Sequence, residues 1–232
     1  MKIAIIGLGD TKKDAPYDDP EWVKYGLPWD DKWESYQRLF EMHSDHVVNI
    51  SLAMFHDEYW DGEKIKVISH RPQEYGEILQ SITKNPEQKL YMHEEYMKGV
   101  TPYPFKPINA DIGHDYYISS VSYMLAMAIH EISVRLGNAD EEHEIGIWGV
   151  DICVDGEWVY QRANNEFFIG LAQGRGIKVT LPAGSMLMKF VPMPVRFGAV
   201  EIVYHERYGI LGPEEQHFKR IESPEERRNG FL

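Results

Sequence analysis

Residues 144–151 read EIGIWGVD, an apolar run that ends on an acid. The stretch that follows at 163–176, ANNEFFIGLAQGRG, has helical character, and IKVTL at 177–181 is a second apolar run. Apolar runs without polar alternation read as strands buried on both faces. Two such strands joined by a helix form a strand–helix–strand unit, here ended by Pro182 and Gly184. That unit implies parallel pairing with a helical crossover. KIAII at 2–6 is a run of the same kind, stopping at Gly7. It is the usual opening of a doubly wound sheet. The predicted fold is therefore α/β and Rossmann-like, a mostly parallel sheet with helices on both faces.

The other segments fit around this frame. EWVKYGL (21–27) reads as a short strand. In 30–43, Trp33, Tyr36, Leu39 and Phe40 have helical spacing, with Phe40 to His43 able to enter a strand. Residues 46–55 are ambiguous, with strand favoured at their start; 73–82 read as helix and 88–92 as strand. Residues 99–117 carry three prolines and two glycines and read as a long loop, a kind of segment that is often functional. Residues 118–137 form the clearest helix, with Val121, Met124, Leu125, Ala128, Ile129, Ile132 and Leu136 on one broad face and Gly137 as a stop. A late strand is expected within 197–211. From Pro213 the chain is polar, so one domain over 1–212 and a tail over 213–232 are expected.

Composition excludes several classes. A chain of 232 residues suits one core, since single-core domains extend to roughly 250 residues. No apolar run approaches the roughly 20 residues of a membrane span. The apolar run after Lys2 is too short for a signal peptide, and the single cysteine, Cys153, allows no intrachain disulfide. A cytoplasmic compartment is expected. The net charge of −13 and the lack of a basic block disfavour nucleic acid as a partner.

Three places carry candidate chemistry. Gly7-Leu8-Gly9-Asp10 follows the first strand, where glycines let backbone N–H groups approach a phosphate or simply make a tight turn. It is neither a P-loop nor a full dinucleotide fingerprint, because Lys12 stands where a third glycine would be. Ser119-Ser120 opens the best helix, as a cap or as an anion site. Asp151 ends the strand at 144–151, where α/β sheets place ligand-binding acids. Beyond it, Tyr160, Gln161, Arg162 and Asn164 put polar groups into the strand-to-helix connection. Glu166 is either a favourable charge near a helix start or a functional carboxylate, and Arg162 either a surface ion pair or a partner for a leaving diphosphate. His43 and His46 are close in sequence, and His70, His93, His114 and His130 are scattered. No zinc-type spacing or G-x-S-x-G elbow occurs, so no metal ligand is assigned.

IAIIGLGDT (3–11), ISSVSYMLAMAI (118–129) and IGIWGVDI (145–152), in that order, resemble the Rossmann-like group of bacterial lipo-oligosaccharide sialyltransferases and hydroxymethylpterin pyrophosphokinase-like proteins. The pattern Gly149-Val150-Asp151, Tyr160-Gln161-Arg162, Glu166, Gly170 is also similar to that of proteins encoded in bacteriophage genomes. The resemblance implies a nucleotide or nucleotide-sugar pocket lined by Gly7, Gly9, Ser119, Ser120 and Asp151, and glycosyl transfer as the reaction. In this chain residues 152–178 contain no histidine, which leaves Asp151, Glu166, Tyr160, or a histidine from elsewhere such as His43 or His114, as the base. A shorter stretch, NEFFIGLAQGRGIKV, is similar to the glutamate-bearing helix of nucleoside deoxyribosyltransferase-like proteins, which implies Glu166 as a nucleophile at an N-glycosidic carbon. A non-catalytic nucleotide binder is the third reading.

Overall fold

The computed structural model describes residues 1–43, 56–60, 63–67, 71–95, 98–135, 141–151, 158–189, 194–197 and 200–203. β1 (Lys2–Ile6), β2 (Trp22–Gly26) and β3 (Arg38–Phe40) come first, followed by a hairpin of β4 (His56–Trp60) and β5 (Glu63–Val67). Then come α1 (Arg71–Lys84), β6 (Lys89–Met92), β7 (Thr101–Pro102), α2 (Phe105–Ile112) and α3 (Ser120–Arg135). β8 (Glu144–Trp148), α4 (Trp158–Gly174) and β9 (Lys178–Thr180) complete the strand–helix–strand unit. β10 (Pro194–Phe197) and β11 (Val200–Val203) form a separate antiparallel hairpin.

Seven strands make one parallel sheet in the order β7-β6-β3-β2-β1-β8-β9. From β1 the chain builds outward to β7, then returns to β1's other side as β8. Each strand of the centre is buried on both faces, as parallel sheets require. In β1, Ile3 and Ile5 join the cluster built with α2, α3 and α4, through Ile108, Leu125, Ile129 and Phe168. Ala4 and Ile6 face the other way, into a cluster with Ile78 of α1, with Trp22 at the start of β2, and with Tyr17, Trp29, Trp33 and Tyr36 from the connections. Helices thus lie on both faces. Two glycines make room for the aromatic layer: a Cβ on Gly26 would overlap the Tyr36 ring, and one on Gly146 the Trp148 ring.

Two segments differ from their sequence reading. The helical spacing at 30–43 yields only a 3-10 turn at Trp33–Ser35, followed by β3. Leu39 and Phe40 enter opposite core clusters, a period of two that only a strand provides. The expected loop at 99–117 holds β7 and α2. Pro104 caps α2 and Pro107 sits in its first turn, where a missing N–H costs no helical bond. Gly113 ends α2 at a φ of 88° with its N–H on Asn109 O, as a left-handed terminus favours. α4 also begins earlier than expected, at Trp158. The chain divides into two units, Met1–Leu187 and Met188–Leu232. The expected 212/213 boundary, the polar tail, the strand reading of 46–55, His46, His70 and Cys153 lie outside the described residues. Among the described residues no helix is long and apolar enough to cross a membrane.

The face covered by α2, α3 and α4 carries several buried phenols. Burial pushes the Tyr25 and Tyr103 hydroxyls well above the ordinary tyrosine value, and Tyr117 up to about 12. Tyr25 also donates to Glu131 Oε2 at 2.7 Å, which further opposes a phenolate. A folded-state pKa above the unfolded one contributes stability below the unfolded value, about 10, that is lost as pH rises through the folded value. Circular dichroism should therefore show the fold intact up to about pH 10 and failing steeply above it. Normal titration of every tyrosine by absorbance, with the fold unchanged, would contradict this.

Candidate functional site

At the point where the strand order reverses, the loops after β1 and β8 fasten to each other. Gly7 N–H donates to Trp148 O at 2.8 Å, and Gly9 N–H to Gly149 O at 2.8 Å. Parallel pairing thus continues past the ends of both strands. The approach is too close for side chains: a Cβ on Gly7 would run into Gly149 O, and one on Gly9 would lie 2.7 Å from Asp151 Oδ2. Gly149 itself has a φ of 65°. The glycines serve this backbone-to-backbone approach.

Asp151 is the clasp. Its Oδ2 accepts the Thr11 N–H at 2.8 Å and its Oδ1 accepts the Thr11 hydroxyl at 2.6 Å. The same hydroxyl oxygen accepts the Gly149 N–H at 2.8 Å. Thr11 opens into the 3-10 turn Asp10–Asp14, so Asp151 sets the path of the chain leaving β1. Asp10 is exposed beside it. Thr11 was not singled out in the sequence; the signal available was a hydroxyl two residues after Gly9, a common turn-forming position. From this turn Lys12 Nζ reaches Asp30 at 3.2 Å and Asp31 at 2.6 Å, tying the β1 loop to the β2 loop.

A second group joins α3 to α4. Ser119 Oγ accepts the Ser122 N–H at 3.2 Å, while Ser122 Oγ accepts the Ser119 N–H at 3.1 Å. This is reciprocal capping with serine in place of the usual glutamate. Ser119 also donates to Asn165 Oδ1 at 3.1 Å, and Asn164 bridges Ile118 N–H and Tyr116 O. Ser120, half-buried, takes the first helical position. On α4, Arg162 Nε donates to Glu166 Oε1 at 2.8 Å, one turn apart. Gln161 is half-buried, and Tyr160 is 68% exposed.

The histidines separate by environment. His130 pairs with Asp111, which also holds Arg175 at 3.0 Å, and His114 packs on Phe167 and Phe168. His43 lies just past β3 and contacts Glu41. Among the described residues no cluster of three or more His, Cys, Asp or Glu could hold a metal. An open cleft of about 270 Å³, lined by Arg38, His130, Glu131, Val134 and Arg135, lies at the amino end of β3, the end opposite the clasp.

The clasp makes a sharp stability prediction. Gly149→Ala, strained in φ and in steric conflict with Gly7, should cost at least about 2 kcal/mol in denaturant unfolding. Thr11→Val, which removes a donor and an acceptor and strands the Gly149 N–H, should cost about 2 kcal/mol, while Thr11→Ser stays near wild type. A Thr11→Val protein as stable as Thr11→Ser would show the clasp to be idle.

Comparisons with protein-family models, with curated proteins and with solved structures returned no match.

Proposed function

We propose that this protein binds a nucleotide or nucleotide sugar at the carboxyl ends of β1 and β8 and transfers a group from it, most simply a glycosyl group. One observation carries this reading: the sheet order reverses between β1 and β8, and the loops leaving that point are held in one arrangement by Asp151 and Thr11. In open α/β sheets ligands bind in the crevice outside such a point, since the flanking connections lead to opposite sides. Preformed loops spare the ligand the ordering cost of a floppy site.

In this reading the Asp10 backbone N–H, in the turn that Gly9 opens, and the first turn of α3 at Ser120 offer donors to phosphate. Asp151 acts mainly by holding the turn and can accept a further hydrogen bond from a ribose hydroxyl, since each carboxylate oxygen has two lone-pair sites. Arg162, oriented by Glu166, supplies positive charge for a leaving diphosphate, with Gln161 and Tyr160 on the same helix as polar contacts. A nucleotide or nucleotide sugar that binds only the native state raises its melting temperature. At least one member of a panel of nucleosides, nucleotides, dinucleotides and nucleotide sugars should do so. Arg162→Met should weaken diphosphate-bearing ligands about tenfold or more and leave nucleosides unchanged. A panel without any shift sinks the nucleotide reading; tight binding with no product over hours leaves a non-catalytic binder.

A second reading has its own observation. Glu166 is partly exposed and tethered by Arg162, a posture suited to a carboxylate that attacks an anomeric carbon. Cleavage of an N-glycosidic bond would then be lost in Glu166→Gln, read as free base by chromatography. Undiminished base release in that variant would eliminate Glu166 as nucleophile.

A further inference from the structure

The carboxyl edge of the sheet holds a second constellation, two strands from the clasp. Glu41 directly follows β3 and its side chain is 0% exposed. Its backbone N–H donates to Tyr91 O at 2.9 Å, so β3–β6 pairing fixes its position. Its Oε1 accepts the His43 backbone N–H at 3.1 Å and contacts His43 Nδ1. A carboxylate accepts only, so His43 Nδ1 carries the proton and Nε2 is left as the basic nitrogen. The His43 ring is 44% exposed and lies 5.9 Å from the Trp29 ring. A buried carboxylate that orients a part-exposed imidazole is the arrangement by which proteins make a proton acceptor.

The neighbouring strand adds to it. His93 follows β6, its ring edge-on to Phe105 at 5.5 Å and against Tyr123 at 5.4 Å. Burial lowers its pKa, and Glu41 and Glu94 oppose that shift. Among the described residues its buried Nε2 has no hydrogen-bond partner. With strands about 4.8 Å apart, the end of β3 lies about 10 Å from the end of β1. Lys12 and the buried Asp30 span the intervening β2 loop, and Trp29 beside them reaches His43.

We propose that Glu41 and His43 form the proton-accepting dyad for a hydroxyl-bearing acceptor, with Trp29 as the apolar surface on which that acceptor packs. This rests on the nucleotide reading above and names the residues of its other half. In the step, the acceptor hydroxyl gives its proton to His43 Nε2. Its oxygen bonds to the electrophilic atom of the donor, and the bond to the leaving phosphate oxygen breaks with its electron pair on that phosphate. His43 would be the catalytic base, and Glu41 a positioning residue.

Nitrogen-15 NMR of the full-length protein tests the dyad without a substrate. Two histidines should show the Nδ1–H tautomer, His43 and His130, whose Nδ1 faces Asp111 Oδ2. One of the two signals should vanish in His43→Gln and revert to the Nε2–H form in Glu41→Leu, which removes the acceptor. An Nε2–H tautomer for His43 in the wild type overturns the proposal whatever ligand binds. The nucleotide sugar giving the largest melting shift is then incubated alone, with water as the acceptor. His43→Gln should lower its hydrolysis about 100-fold while keeping the melting shift, and Glu41→Gln should lower it less. Hydrolysis at the wild-type rate in His43→Gln overturns the catalytic role even if the tautomer is as expected. An intact tautomer with no melting shift across the panel instead removes the nucleotide reading, and the proposal as stated falls with it.

Discussion

The pairing of β1 with β8 is the interaction on which the rest of the molecule depends. It joins the first strand of the chain to one that begins well over a hundred residues later, with Lys2 opposite Glu144 and Ile6 opposite Trp148. So distant a closure carries a loop entropy that local contacts cannot offset. It is held by strands buried on both faces and by the bonds past their ends, Gly7 to Trp148, Gly9 to Gly149 and Thr11 to Asp151. Because the chain builds away from β1 on one side and away from β8 on the other, the same pairing creates the reversal of strand order. Stability and the candidate site therefore share their residues. A mutation at the clasp changes both, and only variants that spare the fold can separate them.

The two faces of the sheet are covered by different means. α2, α3 and α4 cover one with aliphatic and aromatic side chains. Beside α1, strand ends and short connections cover the other with large rings: Trp22 of β2 meets Trp148 of β8 edge-on at 5.4 Å, and the loop residue Tyr17 stacks with Tyr36 at 6.4 Å. Large rings let a loop with few residues exclude water from a strand. They also explain the density of tryptophan early in the chain, where β1 reaches β2 and β2 reaches β3 with 3-10 turns alone.

Legibility in the sequence followed the range of the forces involved. β1, β8, α3 and β9 were readable because their apolar patterns are local and uninterrupted. β3 was misread because Trp33, Tyr36, Leu39 and Phe40 satisfy a helical period by chance, and only the two core clusters reveal that Leu39 and Phe40 part company. α2 was hidden by prolines that a helix tolerates in its first turn. Asp151 stood out as an acid after a strand, yet its partner Thr11 lies 140 positions away and no local pattern could connect them. The Glu41 contact to His43 is short in sequence, but it gains meaning only from the burial that β3 and β6 impose.

The sequence by itself determined the class of architecture. Runs such as KIAII and EIGIWGV can be satisfied only by burial on both faces, and the helix before IKVTL leaves parallel pairing as the outcome. It also marked Gly7 and Gly9 as a turn leaving the first strand. Tertiary structure alone decided which strands are neighbours, that Asp151 grips Thr11, and that Glu41, His43 and His93 share one edge with them. Strand order and side-chain convergence arise from contacts between distant residues, whose energies are settled only when the whole sheet is assembled.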